Sequence, residues 1–185
     1  FVLQTGDLQQ AMRRLMQRGL KQGEKKIAGL EDLMSQLTRE LRRLYDRYRI
    51  QSAMEQVEQE LRSIVEQERR TLQELRDAKP GIESKEEFLD RLPDKTSEAI
   101  EKLASYSFED SKAQADFQSL LSRLEQVRRL ENAIRREGSL FRGQTPLDME
   151  QAQELLDRIE ELRRLEGQLS SMNLEDVDSQ LLERL

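Results

Sequence analysis

The chain has 185 residues and a formal net charge of -6; 37% of the residues are charged, 36% hydrophobic and only 4% aromatic. Because His and Cys are both missing, the composition excludes catalysis by Ser-His or Cys-His pairs, disulfide bonds and the common zinc and haem ligand sets. We therefore expect a protein that is not an enzyme and binds no cofactor, and the lack of Cys favours a cytoplasmic location.

Two amphipathic helices are predicted at the start of the chain. The first spans 6–20 and ends in a basic loop that contains Lys21, Lys25 and Lys26. The second carries apolar residues at alternating spacings of three and four, which is typical of coiled-coil packing. This seam consists of Leu30, Met34, Leu37, Leu41, Leu44 and Tyr48.

The seam shifts its register by one residue at Ile50, because polar residues occupy the next two positions that the heptad pattern would need. A shift of this kind predicts a kink or a short break near Arg49. A third helix then runs to about Ala78, where Pro80 and Gly81 stop it.

Shorter helices are predicted in the middle of the chain. The spacing of Ser84 and Glu87 is that of a capping box, which would open one helix, and Pro93 is placed to begin the next. An aromatic loop over 106–110 follows, and Asp110 is predicted to cap a long helix behind it.

The long helix is predicted to close at Gly138. The next helix is expected to begin at a string of four residues, with Thr145 as the hydroxyl cap, Pro146 in the first helical position and Asp148 as the carboxylate three residues after the cap. A short final helix opens at residues 173–176.

These elements amount to about seven helices and no strand. The predicted fold class is all-α, an extended bundle of long antiparallel helices with coiled-coil-like packing. Three regions are expected: 1–78 with long helices and a basic stripe, 79–110 as a short-helix connector, and 111–185 as a C-terminal helical hairpin.

The chain carries its charge asymmetrically. Residues 1–50 hold 11 Lys and Arg against 6 Asp and Glu, whereas the remainder holds 20 against 31. Opposite charge at the two ends favours attraction within the chain, between subunits, or with an acidic partner, although solvated helix faces of uneven charge explain it equally well.

A dense basic stripe on the second helix is the first candidate binding surface. The acidic total, the nearby carboxylates and the lack of a groove-reading motif argue against nucleic acid, and mixed charge without Trp argues against a membrane surface. A protein contact and a plain solvated face both remain open. The stripe consists of Arg39, Arg42, Arg43, Arg47 and Arg49, with Tyr45 and Tyr48 between them.

The loop over 139–148 is the second candidate surface. Leu140 and Phe141 either pack as a staple over the following helix or, together with Pro146, dock to a partner protein. Acidic clusters elsewhere are better explained by helix capping than by metal binding or catalysis. A hydrolase that uses only carboxylates would need three or more of them converging in one pocket.

Several short strings, in order along nearly the whole chain, resemble the N-terminal region of bacterial von Willebrand factor A domain proteins. The resemblance implies a largely helical region ahead of a C-terminal von Willebrand A domain with a metal-ion-dependent adhesion site. Such proteins resemble the magnesium-chelatase D-type subunit and are often encoded beside an AAA+ ATPase of the chelatase or MoxR type. The strings are Gly6–Gly19, Ala28–Leu33, Leu92–Asp94, Tyr106–Phe108, Phe141–Leu147 and Leu174–Asp178.

The resemblance implies that the pair acts as a chaperone-like machine that remodels a client or inserts metal into it. The cation-binding Asp-x-Ser-x-Ser motif of the adhesion site is missing from this chain, so no metal-site residue is carried over, and the chain is expected to be a piece of a longer protein. We expect an interaction module that docks to the ATPase or to a client. The alternative is a self-assembling coiled-coil scaffold.

Overall fold

The computed structural model describes residues 20–22, 25–27 and 29–171, and within these residues the fold is all-α, as predicted. Seven α-helices make up most of this part of the chain. They are α1 (Leu30–Arg47), α2 (Gln51–Leu75), α3 (Ile82–Asp90), α4 (Thr96–Leu103), α5 (Ser111–Leu121), α6 (Leu124–Glu137) and α7 (Met149–Ser171).

Four very short strands accompany the helices, so the expectation of no strand was wrong in this detail. The antiparallel pair β1 (Leu20–Gln22) and β2 (Lys25–Ile27) takes the place of the predicted basic loop. A parallel pair is formed by β3 (Tyr48–Arg49) and β4 (Thr145–Pro146). The predicted helices over 6–20 and at 173–176 lie outside the described residues, apart from the last residue of the first.

The described residues divide into two compact units. The residues up to Asp46 together with those from Leu155 onward form the first, and Arg47–Glu154 form the second. This grouping joins the two ends of the described chain in one unit, and the division into three consecutive regions stays a prediction.

The first unit consists mainly of α1 up to Asp46 and of α7 from Leu155 onward. Thr38 Oγ1 donates to Glu166 Oε1 at 3.4 Å, and Arg163 donates to the hydroxyl of Tyr45 at 2.8 Å. Because the contacts advance along α1 while they recede along α7, the two helices run antiparallel. Ile159 and Leu162 of α7 are almost completely buried.

In the second unit α2 is central and packs against α3, α4, α5 and α6. Ile50 and Val57, which belong to the apolar register after the break, are buried. The other fully buried aliphatic and aromatic side chains of this core include Leu72, Ile100, Leu103, Phe117, Leu120, Val127 and Leu130.

The predicted break near Arg49 is confirmed. Helix α1 ends at Arg47, and the next two residues pair with β4 before α2 begins. The loop before β4 approaches the end of α1 so closely that a Cβ on Gly143 would lie 2.0 Å from the carbonyl carbon of Arg47. Ser52 Oγ accepts from the backbone N–H of Leu147 at 2.7 Å, which ties the start of α2 to the same loop.

Two helix starts differ from the predicted ones. Helix α3 begins at Ile82 behind Gly81, whose φ of 88° places it in the left-handed region. Ser84 therefore lies inside the helix, and its hydroxyl donates to the carbonyl of Gly81 at 2.7 Å rather than opening a capping box. Helix α4 begins three residues after Pro93, where the backbone N–H and hydroxyl of Ser97 both donate to Glu131 of α6.

The long helix predicted behind Asp110 is two helices. Asp110 is its cap, as predicted, since its carboxylate accepts from the N–H of Ala113 at 2.7 Å. The helix breaks after Leu121, where Ser122 Oγ donates to a carbonyl of the preceding turn and Arg123 leaves helical geometry with ψ near 8°. Helix α6 then ends at Glu137, and a 3₁₀ turn begins at the predicted Gly138.

The start of α7 was predicted three residues too early. Thr145 and Pro146 lie in β4, and Asp148 is the cap instead: its carboxylate accepts from the N–H of Gln151 at 2.9 Å, and the Gln151 side chain accepts from the N–H of Asp148 at 3.1 Å. This reciprocal pair is a capping box. The C-terminal end of α2 also differs slightly from the prediction: the helix stops at Leu75, about three residues before the predicted limit.

Candidate protein-interaction surfaces

An open groove of about 830 Å³ lies within the first unit, between α1 and α7. Its apolar residues come from both helices, and Leu33 keeps 39% of its surface exposed. Of the other groove leucines, Leu162 is buried and the rest are half-buried. A partly exposed apolar surface on two packed helices is a place where another helix can pack. The apolar lining consists of Leu33, Leu37, Leu162, Leu165 and Leu169.

The rim of this groove is mainly basic. Arg39 and Arg43 contribute from α1 and Arg158 contributes from α7, whereas Glu40 is the single carboxylate among the described residues of the lining. Arg43 and Glu40 form an ion pair at 3.6 Å, but the Arg43 side chain remains 76% exposed. Arg158 forms an ion pair with Glu161 at 2.7 Å. Exposed pairs of this kind contribute little to stability.

The structure places the predicted basic stripe on more than one surface. Arg42 is exposed but lies outside the groove that its neighbours line. The guanidinium carbon of Arg47 lies 5.1 Å from the ring centre of Tyr48, in cation–π geometry. Arg49 forms an ion pair with Glu55.

Tyr45, predicted to lie within the stripe, is buried instead and retains only 9% of its surface exposed. Its hydroxyl accepts a hydrogen bond from Arg163 of α7. The ring therefore helps to hold the two helices of the first unit together rather than facing a partner.

The second predicted surface, the loop before α7, is divided by burial. Leu140 is 43% exposed, whereas Phe141 retains only 6% and belongs to the core of the second unit. Pro146 is exposed at the end of β4. The burial of Phe141 favours the interpretation in which this ring packs internally, and it leaves Leu140 and Pro146 as the residues that a partner can reach.

A buried carboxylate in the second unit escaped the sequence-based prediction. Glu68 of α2 is completely buried, and it accepts hydrogen bonds from the hydroxyl of Tyr106 and from the backbone N–H groups of Glu109 and Asp110, each at 2.9 Å. Asp110 in turn accepts from Thr71 Oγ1 at 2.9 Å. These bonds fasten the aromatic loop to α2.

The surroundings of this loop shift three pKa values. Burial raises the pKa of Tyr106 far above its ordinary value, and the hydrogen bond to Glu68 adds to the effect. Hydrogen bonds from Lys79, which follows α2, and from Lys85 of α3 lower the pKa of Glu109. The hydrogen bond from the backbone N–H of Ala113 lowers the pKa of Asp110. Tyr106 is thus neutral and can donate its hydrogen bond to Glu68, and Asp110 is ionised and can accept the hydrogen bond from Ala113.

Rings from three elements stack beside this fastening. The ring centres of Phe88 and Tyr106 are 5.1 Å apart, those of Tyr106 and Phe108 are 4.9 Å apart in an edge-to-face arrangement, and those of Phe108 and Phe117 are 5.2 Å apart. Tilted and edge-to-face pairs at these distances are favourable. The aromatic loop noticed in the sequence therefore packs internally.

Two further features bear on what these surfaces can do. In the described part of the chain, no group of three or more Asp and Glu residues is placed to hold a metal ion. Among the helices within 29–171, none combines the length and apolar character that crossing a bilayer requires.

Sequence reasoning found only part of the groove. The leucines of α7 carry a signal, since Leu162, Leu165 and Leu169 recur at helical spacing. Nothing local indicates that this stripe meets α1, which lies more than a hundred residues earlier in the chain. Glu68 gives no signal either, because its position is one carboxylate among many on a charged helix.

One comparison with known proteins gave a match. Residues 51–123, which run from the start of α2 to the junction of α5 and α6, match a family model described as the Mb0984 helical domain. The comparisons with curated proteins and with solved structures found no match. The family description mentions neither von Willebrand A domains nor chelatases, so that resemblance stays a prediction. This stretch of α2 to α5 is thus similar to a family of helical domains.

Proposed function

We propose that the chain is a non-catalytic helical interaction module of a von Willebrand A domain protein, which works in the cytoplasm with an AAA+ ATPase of the chelatase or MoxR type. The module docks to the ATPase or its client during chaperone-like remodelling or metal insertion. The ordered resemblance of the sequence strings supports the family, and the family match over 51–123 agrees with a helical module.

The observation that carries the docking role is the arginine patch on α1. Arg39, Arg42 and Arg43 are all exposed on neighbouring turns of one helix, and Glu40 pairs with Arg43. Guanidinium groups clustered in this way suit carboxylates on a partner protein. Arg42 is the member that takes no part in the groove.

Affinity capture tests the proposal. The full chain, immobilised, should retain the ATPase encoded beside it in a nucleotide-dependent manner, and Arg42→Glu should weaken retention by about tenfold because it places like charges opposite each other. Arg70→Glu, at an exposed position on α2, is the matched control and should leave retention unchanged. Failure to recover the ATPase in any nucleotide state would refute the partner.

The alternative function is a self-assembling coiled-coil scaffold. One observation favours it: Met34, Leu37 and Leu44 of the predicted seam are only half-buried, which leaves apolar surface for a second copy. Static light scattering separates the two proposals. A concentration-dependent rise in molar mass is expected of a scaffold, and a constant monomer mass at high concentration would rule it out.

A further inference from the structure

The loop between α6 and α7 presents an exposed leucine from a backbone that is held at both ends. Leu140, at the end of the 3₁₀ turn, keeps 43% of its surface exposed, whereas Phe141 and Leu147 are buried. Gln51 Nε2 donates to the carbonyl of Gly138 at 2.9 Å, at the start of the same turn. The exposed leucine is therefore fixed in position by its neighbours.

Three exposed arginines lie around this leucine. Arg136 is in the last turn of α6, four residues before Leu140, and Arg142 follows Leu140 by two residues. Arg47 is the third. A Cβ on Gly143 would lie 2.0 Å from the carbonyl carbon of Arg47, so the Cα of the preceding residue, Arg142, lies within about 7.5 Å of that carbon.

The positive charge of these arginines is not balanced locally. In the described part of the chain, none of the three forms an ion pair with a carboxylate. The nearby carboxylates have other contacts: Glu55 pairs with Arg49, and Asp148 caps α7. Glu137 also has a partner of its own. The loop thus carries a surplus of positive charge on a chain whose net charge is -6.

This combination of groups favours one kind of ligand. Guanidinium groups bind carboxylates and phosphates equally readily, but a nucleic-acid backbone offers no apolar group to an exposed leucine. A bilayer surface requires a wider apolar face than one leucine provides. An acidic segment of a protein that also carries an apolar side chain matches both the arginines and Leu140.

We propose that Arg47, Arg136, Leu140 and Arg142 form a docking site, the Leu140 surface, for an acidic segment of a partner protein. Leu140 packs against an apolar side chain of that segment, and the guanidinium groups bind its carboxylates. Because the loop is already fixed, little conformational freedom is lost on binding. The inference does not depend on the proposed ATPase, since Arg42 is not part of this surface.

Fluorescence anisotropy of the full chain with a labelled peptide tests the Leu140 surface. The peptide consists of Asp and Glu residues around a central Leu and Phe. Arg136→Glu with Arg142→Glu should weaken binding by at least about tenfold, because like charges then face each other. Leu140→Ser should weaken it by about fivefold through lost apolar contact. The matched control, Arg42→Glu with Arg70→Glu, changes the net charge equally at exposed positions elsewhere and should leave the affinity unchanged.

A peptide of opposite charge provides a second arm. With Lys in place of every Asp and Glu, the peptide should bind the Arg136→Glu, Arg142→Glu variant more tightly than it binds the unmodified chain. Such a reversal requires the two sets of charges to face each other, and it is not expected from a loss of folding.

Each other outcome overturns the proposal. Undetectable binding of the acidic peptide, or equal weakening in the control pair, means that the Leu140 surface is not a docking site. Equal affinity for a peptide with Ser in place of its Leu and Phe removes the role of Leu140.

Two further outcomes would identify a different ligand. Tighter binding of oligothymidylate or of phosphatidylserine vesicles through the same arginines identifies a nucleic acid or a lipid surface. A concentration-dependent rise in molar mass that Arg142→Glu abolishes identifies a second copy of the chain. The ATPase enters none of these measurements, so its capture can fail independently.

Discussion

Replacing Gly143 by alanine should be among the most damaging single changes in the second unit. The added Cβ would lie 2.0 Å from the carbonyl carbon and 2.2 Å from the carbonyl oxygen of Arg47, and 2.2 Å from the backbone nitrogen of Tyr48. Ordinary van der Waals contact begins near 3.4 Å. All three neighbours are backbone atoms at the end of α1, so no side chain can rotate away.

The size of the effect follows from what must move. Relieving the clash requires a displacement of about 1.4 Å between the loop and the break. Overpacking alone costs about 1–3 kcal/mol. A shift of this size also separates β3 from β4 and strains the buried bonds between Ser52 and Leu147, which adds about 1 kcal/mol for each bond lost. We expect a total of about 3–5 kcal/mol.

Two other Gly→Ala changes serve as controls in urea titrations followed by circular dichroism. Gly81 has a φ of 88° but no atom within 4 Å of an added Cβ, so Gly81→Ala should cost only about 1–2 kcal/mol. Gly167 lies within α7 with open space around it, and Gly167→Ala should stabilise by about 1 kcal/mol. If Gly143→Ala costs less than Gly81→Ala, the close approach of the loop to the break is wrong.

Three further predictions concern the fastening of the aromatic loop and the cap of α7. Glu68→Ala should cost about 3–4 kcal/mol in the same titrations, because three buried donors lose their acceptor, whereas Tyr106→Phe should cost about 1 kcal/mol; equal costs would contradict this. Asp148→Ala should cost about 1 kcal/mol and Thr145→Ala less than half of that, since only the first caps α7; the reverse order would support the cap predicted from sequence. Two lysines lower the pKa of Glu109 below its ordinary 4.5, so its carboxylate stabilises the fold above that pH and loses this effect as the pH falls through the lowered pKa. Glu109→Gln should therefore destabilise at pH 7, and a difference from wild type that fails to narrow below pH 4.5 would refute the assignment.

The apolar periodicity of the sequence predicted the interior of the helices well. The register shift at Ile50 predicted the break after α1, because a one-residue shift cannot be accommodated on one straight seam. Phe117, Leu120 and Val127 recur at helical spacing and are buried, although this periodicity could not show that α5 and α6 are separate helices. An apolar seam that continues across a helix break has the same sequence pattern as a seam on one unbroken helix.

Helix starts were harder to predict, because several residues nearby could act as caps. Thr145 and Asp148 both offer a side-chain oxygen, and the choice between them is made by the pairing of β4 with β3, nearly one hundred residues earlier. Ser97 is held by Glu131 of another helix. Local sequence contains no information on such partners. Pro93 was therefore predicted to begin this helix, whereas Glu131 of α6 accepts the hydrogen bonds at its start.

The two partner surfaces stay predictions, and the structure adds only which of their residues are exposed. The row of arginines on α1 was visible, but its division between groove and open surface depends on where α7 lies. Phe141 and Leu140 are adjacent and similarly apolar, yet one is buried and the other exposed. Composition therefore identified which residues could bind a partner, and tertiary packing decided which of them remain accessible.

The geometry of α1 explains why its exposed arginines do not all face the groove. Each residue advances the helix by about 100°, so Arg43 lies only about 40° from Arg39, whereas Arg42 lies about 60° to its other side. The first two can therefore line the groove together while Arg42 does not. Reversing the charge of Arg42 should therefore weaken the proposed capture of an ATPase without changing the lining of the groove.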